Sequence, residues 1–327
     1  MTKRERIVAT LARRPVDRPA VAFWRHVPDR DHDPKQLADA MLGLQRRFDL
    51  DLIKVMSSGV YCVEDWGCRV AYKGLPSGAK QCTEHAVKTP ADWARIRPLD
   101  PGQGAFGREL EAVRLTARGR SDDAPVLHTV FSPLTIARKL AGDVLREHLR
   151  TAPAAVSQAL DAITDTATRH ALAALAAGAD GLFFATQAAT PEVFTFDEYS
   201  TWEAPWMTRM LDALRLRSSL TLLHAHGSDI YFDAVAGLPA HALNWHDRRT
   251  KPSLADAKRR LGSAVAGGLG ELGTLRKGPR QAIAEEVHDA IRQTEGVGLI
   301  VAPGCGLPLD VPDEHLDAVV ATVKHAA

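Results

Sequence analysis

The sequence predicts a (β/α)8 barrel that fills residues 1–327 as one domain. Three observations carry that expectation. Eight short β-like runs alternate with longer helical stretches, the pattern of βα units on a parallel sheet. No Gly-x-Gly-x-x-Gly follows the first run, which removes the usual nucleotide signature of a doubly wound sheet. The 327 residues are 45% hydrophobic and 25% charged, enough for one large core.

The runs follow in order. "PAVAFW" (Pro19 to Trp24) is the first, and an amphipathic helix is expected over Pro34 to Phe48. "DLIKVM" (Asp51 to Met56) is the second. The segment Tyr61 to Gly119 then reads as a loop or hairpin insertion, because "YKGLPSGAK" carries turn residues. "PVLHTVF" (Pro125 to Phe131) is third. An Ala-rich helix, Pro153 to Ala177, leads to the fourth, "GADGLFFAT" (Gly178 to Thr186). "SLTLLHAH" (Ser219 to His226), "HALNW" (His241 to Trp245), "GSAVAGGLG" (Gly262 to Gly270) and "VGLIVAPG" (Val297 to Gly304) complete eight.

Bulk properties exclude some function classes. A formal net charge of +1 gives no electrostatic reason to bind nucleic acid or an anionic membrane. No run of about 18 apolar residues exists, so no membrane span is expected. The N-terminal "MTKRERIVATLARRPVDRP" lacks a signal-peptide core, and four cysteines without a secretory signal point to reduced thiols in the cytoplasm.

A barrel keeps its chemistry on the loops after the C-terminal strand ends. Several chemistry-bearing residues fall there: Arg25, Lys54, Tyr61, Glu64, Thr186, Gln187, His224, His226, His246 and Cys305. His224 and His226 are two apart, so on a strand both side chains face one side. With Cys305 from the eighth strand end they make a three-ligand zinc candidate that leaves a fourth position open. The alternative is one histidine hydrogen-bonded in the barrel interior and the other bordering a loop.

"GCGLP" (Gly304 to Pro308) is read as the opening of the last helix, whose N-terminus would favour a Cys305 thiolate. His246 and Asp247 are candidates for acid/base work or for support of a metal ligand. Arg25 and Lys54 are placed to orient an anionic substrate. Glu64 and Asp65 are adjacent, so only one can serve a given site; Glu64 is taken as a proton carrier. Tyr61, Thr186 and Gln187 stand as substrate contacts. Cys62, Cys68 and Cys82 form no Cys-x-x-Cys pair, which argues against a structural zinc knuckle.

The ordered set "RRPVDRPAVAFWR", "DLIKVMSSGVYCVEDWG", "FSPLTIARKLAG", "GADGLFFATQAATPEVFT", "LLHAHG" and "APGCGLPLDVPDEHL" resembles the uroporphyrinogen decarboxylase superfamily over nearly the whole chain. That resemblance implies a (β/α)8 barrel and two functional branches. The decarboxylases carry an aspartate after strand two, a tyrosine after strand three and a histidine in the last loop; this chain has Ser58, Lys139 and Cys305.

The zinc-dependent methyltransferases carry His-x-Cys after strand five and a cysteine in the last loop. His224 and Cys305 match them, and His226 replaces the first cysteine. The resemblance therefore implies methyl transfer or demethylation, with zinc on His224, His226 and Cys305. No corrinoid-binding Asp-x-His-x-x-Gly module is present, so a corrinoid would arrive free or on a partner protein. A small-molecule substrate and a homodimer are implied too. A decarboxylase of a tetrapyrrole or another carboxylate is the second reading, and a tetrapyrrole- or corrinoid-binding protein without turnover the third.

Overall fold

The computed structural model describes residues 1–326. All eight expected runs form strands, trimmed by a few residues at their ends. Ala20–Val21 is β1 and Ile53–Val55 is β2. The expected insertion opens with a short helix, Tyr61–Glu64, and contains an antiparallel hairpin, β3 (Arg69–Ala71) and β4 (Gln81–Glu84). "YKGLPSGAK" is the connection between those two strands. The last part of the segment is a crossover helix of the barrel, Gly104–Gly119, so the extra structure is shorter than the sequence suggests. Val126–Phe131, Gly181–Thr186, Thr221–Ala225, Ala242–Asn244, Ala264–Leu269 and Leu299–Pro303 follow as β5 to β10.

The eight barrel strands are parallel in the order β1-β10-β9-β8-β7-β6-β5-β2. Helices cover the outer face, so every residue of β5, β6, β7 and β9 is buried. The long apolar runs in the sequence are the mark of that two-sided burial. Between β1 and β2 the Asp51 N–H donates to the Val21 carbonyl at 3.0 Å. The Asp51 carboxylate reinforces the same seam by accepting from the Val21 N–H at 2.8 Å. It is fully buried and also binds Arg6 at 2.7 Å and Arg18 at 2.6 Å.

The helix Pro34–Phe48 matches its expected bounds because its caps are explicit in the sequence. Asp33 accepts from the Gln36 N–H at 2.8 Å, Pro34 starts the first turn, and Asp49 ends the helix in the left-handed region at φ 51°. The final helix is Asp313–His325. It begins well after Cys305, which lies in the loop following β10. The expected helix N-terminus beside the Cys305 thiol is therefore absent. Among the described residues no helix is long and apolar enough to cross a membrane.

Candidate active site

Strand alternation decides which side chains reach the barrel mouth. Lys54 and Met56 of β2 and its extension line a cavity of about 280 Å³. Phe183, Ala185 and Gln187 line it from β6, and His224 and His226 from β7. Cys305 closes it from the loop after β10. The structure thus brings His224, His226 and Cys305 together as their spacing suggested. Ligand atoms of these three and of His246 all lie within 4.8 Å of one another.

Each donor is held by its neighbours. His224 Nδ1 lies 2.6 Å from Asn244 Oδ1. The Asn244 amide nitrogen is committed to the Ala266 and Pro303 carbonyls at 2.8 and 3.1 Å. Its oxygen must therefore face His224, which assigns the proton to His224 Nδ1 and leaves Nε2 with a free lone pair. His226 Nδ1 lies 3.5 Å from Cys305 Sγ and 3.2 Å from His246 Nε2. His246 Nδ1 sits between Glu271 Oε1 at 2.9 Å and Arg249 Nη2 at 2.7 Å. Gly304 permits this approach: a Cβ there would fall 2.9 Å from His246 Cα and 3.0 Å from the Trp245 carbonyl.

Burial holds all three histidines below the ordinary imidazole range, so they are neutral near pH 7. Burial alone would raise the Cys305 thiol; a hydrogen bond to His224, which can share the thiol proton, brings its pKa below the ordinary value instead. Three neutral imidazoles and a thiol poised to ionise make a donor set suited to zinc, whose structural and catalytic sites use these two ligand types.

The rest of the wall is cationic. Burial takes the Lys54 ammonium down to about 7. Its Nζ lies 2.7 Å from Met56 Sδ and 4.2 Å from the Phe183 ring centre. Lys139 is also depressed by burial and lies 5.0 Å from the Phe131 ring centre. Lys80, which reaches in from the hairpin connection, is paired with Asp31. Among the described residues no carboxylate lines this cavity. Two lining polar atoms, Trp24 Nε1 and His26 Nδ1, have no partner among the described residues. His26 is neutral, driven by burial to about 3.

Several expected site residues lie elsewhere. Arg25 does not line the cavity; it donates to the Val311 carbonyl at 3.0 Å and lies 3.6 Å from Asp313, which ties the first strand loop to the last helix. Glu64 is turned to Arg108 at 2.8 Å and so is neutralised outside the cavity. The Tyr61 hydroxyl donates to the Thr129 carbonyl at 2.8 Å, and its ring packs on Phe106 and His170 in the core. Thr186 points away from the mouth and donates to Glu203 at 2.8 Å, because its neighbour Gln187 occupies the inward register. His246 is 2% exposed and stands behind His226, not on the cavity wall.

Lys80, Lys139 and Glu271 are site residues that the sequence pattern did not single out. Lys139 carried a visible signal, since it occupies the position of the decarboxylases' tyrosine. Glu271 carried none, because it approaches His246 from the loop after a different strand.

A parallel barrel that gathers imidazole and thiol donors at its C-terminal mouth is the class these features define. The model of the uroporphyrinogen decarboxylase (URO-D) family matches residues 2–326, and the chain belongs to that family. It is 23% identical to the methylcobamide:CoM methyltransferase MtbA of Methanosarcina acetivorans, covering 99% of this chain and 98% of that one. It is likewise 23% identical to a uroporphyrinogen decarboxylase of a Shewanella species, over 98% of this chain and 96% of the other. A solved methyltransferase from Methanosarcina mazei superposes with a TM-score of 0.87 at 22% identity, covering 100% and 99% of the two chains. That likeness establishes the fold.

Proposed function

We propose that this chain is a zinc-dependent methyltransferase that moves a methyl group between a corrinoid and a small anionic thiol. The observation that carries the reading is the cluster of His224, His226 and Cys305 on a cavity whose other charged lining groups are all cationic. The relation to methylcobamide:CoM methyltransferases over nearly the full length supports it. The cavity volume of about 280 Å³ is at the small end for a ligand site. That favours a small thiol over a cyclic tetrapyrrole.

His224, His226 and Cys305 would hold the zinc ion. Zinc bound there supplies a Lewis acid that lowers the pKa of a substrate thiol. Lys54 and Lys139 hold the substrate's anionic group, and Trp24, Phe131 and Phe183 keep water from the reacting sulfur. His246, gripped by Glu271 and Arg249, is a positioning residue that fixes His226. In the reaction the thiol loses its proton to solvent. The sulfur then takes the methyl group while both electrons of the cobalt–carbon bond remain on cobalt. The corrinoid arrives free or on a partner protein.

The test combines elemental analysis with turnover of methylcobalamin and 2-mercaptoethanesulfonate. The expected result is thiol-dependent demethylation, and one zinc equivalent lost in the His226→Ala/Cys305→Ala variant. Full activity in that double variant, or turnover of a carboxylated substrate by metal-free protein, would overturn the reading.

A further inference from the structure

We propose that Cys68, Cys82 and His85 form a second binding site for a soft divalent cation, zinc in the first instance, outside the cavity. These residues sit on the β3–β4 hairpin: Cys68 precedes β3, Cys82 lies in β4, and His85 follows it. Their ligand atoms all lie within 4.8 Å of one another. The spacing is legible in retrospect as Cys82-x-x-His85 with a cross-strand cysteine. A search for Cys-x-x-Cys passes over it because the second member is a histidine.

The arrangement around one oxygen carries the argument. Cys68 Sγ and Cys82 Sγ both donate to the Lys139 carbonyl, at 3.8 and 3.4 Å. His85 Nδ1 lies 3.0 Å from the same oxygen. A carbonyl has two lone pairs, so three donors oversubscribe it. A cation among the four atoms removes that conflict by replacing the shared protons. The distances also suit it: ordinary zinc bond lengths in a tetrahedron put sulfur and oxygen ligands about 3.6 Å apart and nitrogen and oxygen about 3.4 Å apart. Cys68 Sγ further accepts the Ala86 N–H at 3.4 Å, which fixes the sulfur beside the hairpin backbone.

A second, independent observation concerns the hairpin. Its strands have only three and four residues, and most of those residues are exposed or half-exposed. A two-stranded ribbon this short is marginal in water and gains from a staple. The staple would have a use. It joins the hairpin to the Lys139 backbone, and Lys80 and Lys139 both reach the cavity from the two parts so joined.

Zinc content after loading and desalting tests this in the His226→Ala/Cys305→Ala background. One equivalent is expected there, falling to none when Cys82→Ser is added. No zinc in the background variant, or zinc that survives Cys82→Ser, overturns the second site. Should the triple variant fail to fold, ¹¹³Cd²⁺ loaded into wild-type protein and into the Cys82→Ser single variant decides: one resonance is expected to vanish with Cys82→Ser, and an unchanged spectrum overturns the proposal. The proposal stands apart from the cavity reading. Zinc lost with Cys82→Ser but unaffected by the cavity substitutions sinks the cavity site and leaves the hairpin site intact; the converse pattern does the reverse.

Discussion

The two ends of the barrel treat buried charge in opposite ways. At the N-terminal end Asp51 and Asp180 repeat one device just ahead of a strand. Asp51 binds Arg6 and Arg18 and accepts from the Val21 N–H at 2.8 Å. Asp180 binds Arg4 at 2.7 Å and Arg120 at 2.6 Å and accepts from the Val126 N–H at 2.9 Å. Each of these two carboxylates has two arginine partners and a backbone N–H to hold. At the C-terminal mouth the buried Lys54 and the half-buried Lys139 have no carboxylate partner among the described residues, and three histidines are kept neutral. One end is saturated and the other is left with unmet electrostatic demand. A ligand that brings negative charge, or a cation that takes up the imidazoles and thiol, meets that demand.

Removing a donor at the mouth is the largest break of this contrast. Cys305→Ala is expected to lower turnover by about 10³-fold or more, equivalent to ~4 kcal/mol of transition-state stabilisation. Thermal unfolding should shift little, because the mouth is not where the fold is tied. Turnover within a few-fold of wild type would remove Cys305 from the chemistry. The complementary change, Asp51→Ala, leaves the part-buried Arg18 and the Val21 N–H without their carboxylate and Arg6 with Asp17 alone. It should cost about 3–5 kcal/mol in urea unfolding while the folded fraction keeps its turnover. A loss below ~1 kcal/mol would show that the seam does not depend on this cluster.

The contrast sharpens one step behind the mouth. Glu271→Gln keeps the shape beside His246 but removes the carboxylate charge. Zinc affinity of the cavity site is expected to fall by about 10–100-fold, read by competition with a chromophoric chelator. An unchanged affinity would mean that His246 fixes His226 without help from Glu271.

The fold was legible because the strand runs are long, apolar and separated by capped helices, as at Asp33 and Asp49 around Pro34–Phe48. The site was legible where alternation could be applied within one strand. His224 and His226 share a face for the same reason that Thr186 and Gln187 cannot. Applying that rule to β6 would have dismissed Thr186 once Gln187 was kept. Arg25, Glu64 and Tyr61 were not separable by sequence, since their partners Val311, Arg108 and Thr129 come from distant segments. Lys80 was hidden by its place in the hairpin connection, and the Cys68–Cys82–His85 cluster by a register that only the folded hairpin sets.

The smallest and most specific effect belongs to Lys54. Its ammonium titrates near 7 in the folded protein because burial disfavours the charged form, while an unfolded lysine holds its proton to about 10.4. Between those values the unfolded chain binds more protons, so this residue makes stability rise as pH increases from about 7 toward 10. Below 7 the full cost of a buried cation remains. Lys54→Met should therefore be more stable than wild type at pH 6, with the gap closing as pH approaches 10. Binding runs the other way. The wild-type KM for an anionic thiol should be about 10-fold lower than that of Lys54→Met at pH 6, or ~1.4 kcal/mol, and the two should converge above pH 8 as Lys54 loses its charge. A KM ratio that stays constant from pH 6 to 9 would show that Lys54 does not meet the anion. A converging ratio together with a closing stability gap would mean that the charge unmet in the empty cavity is the charge the substrate satisfies.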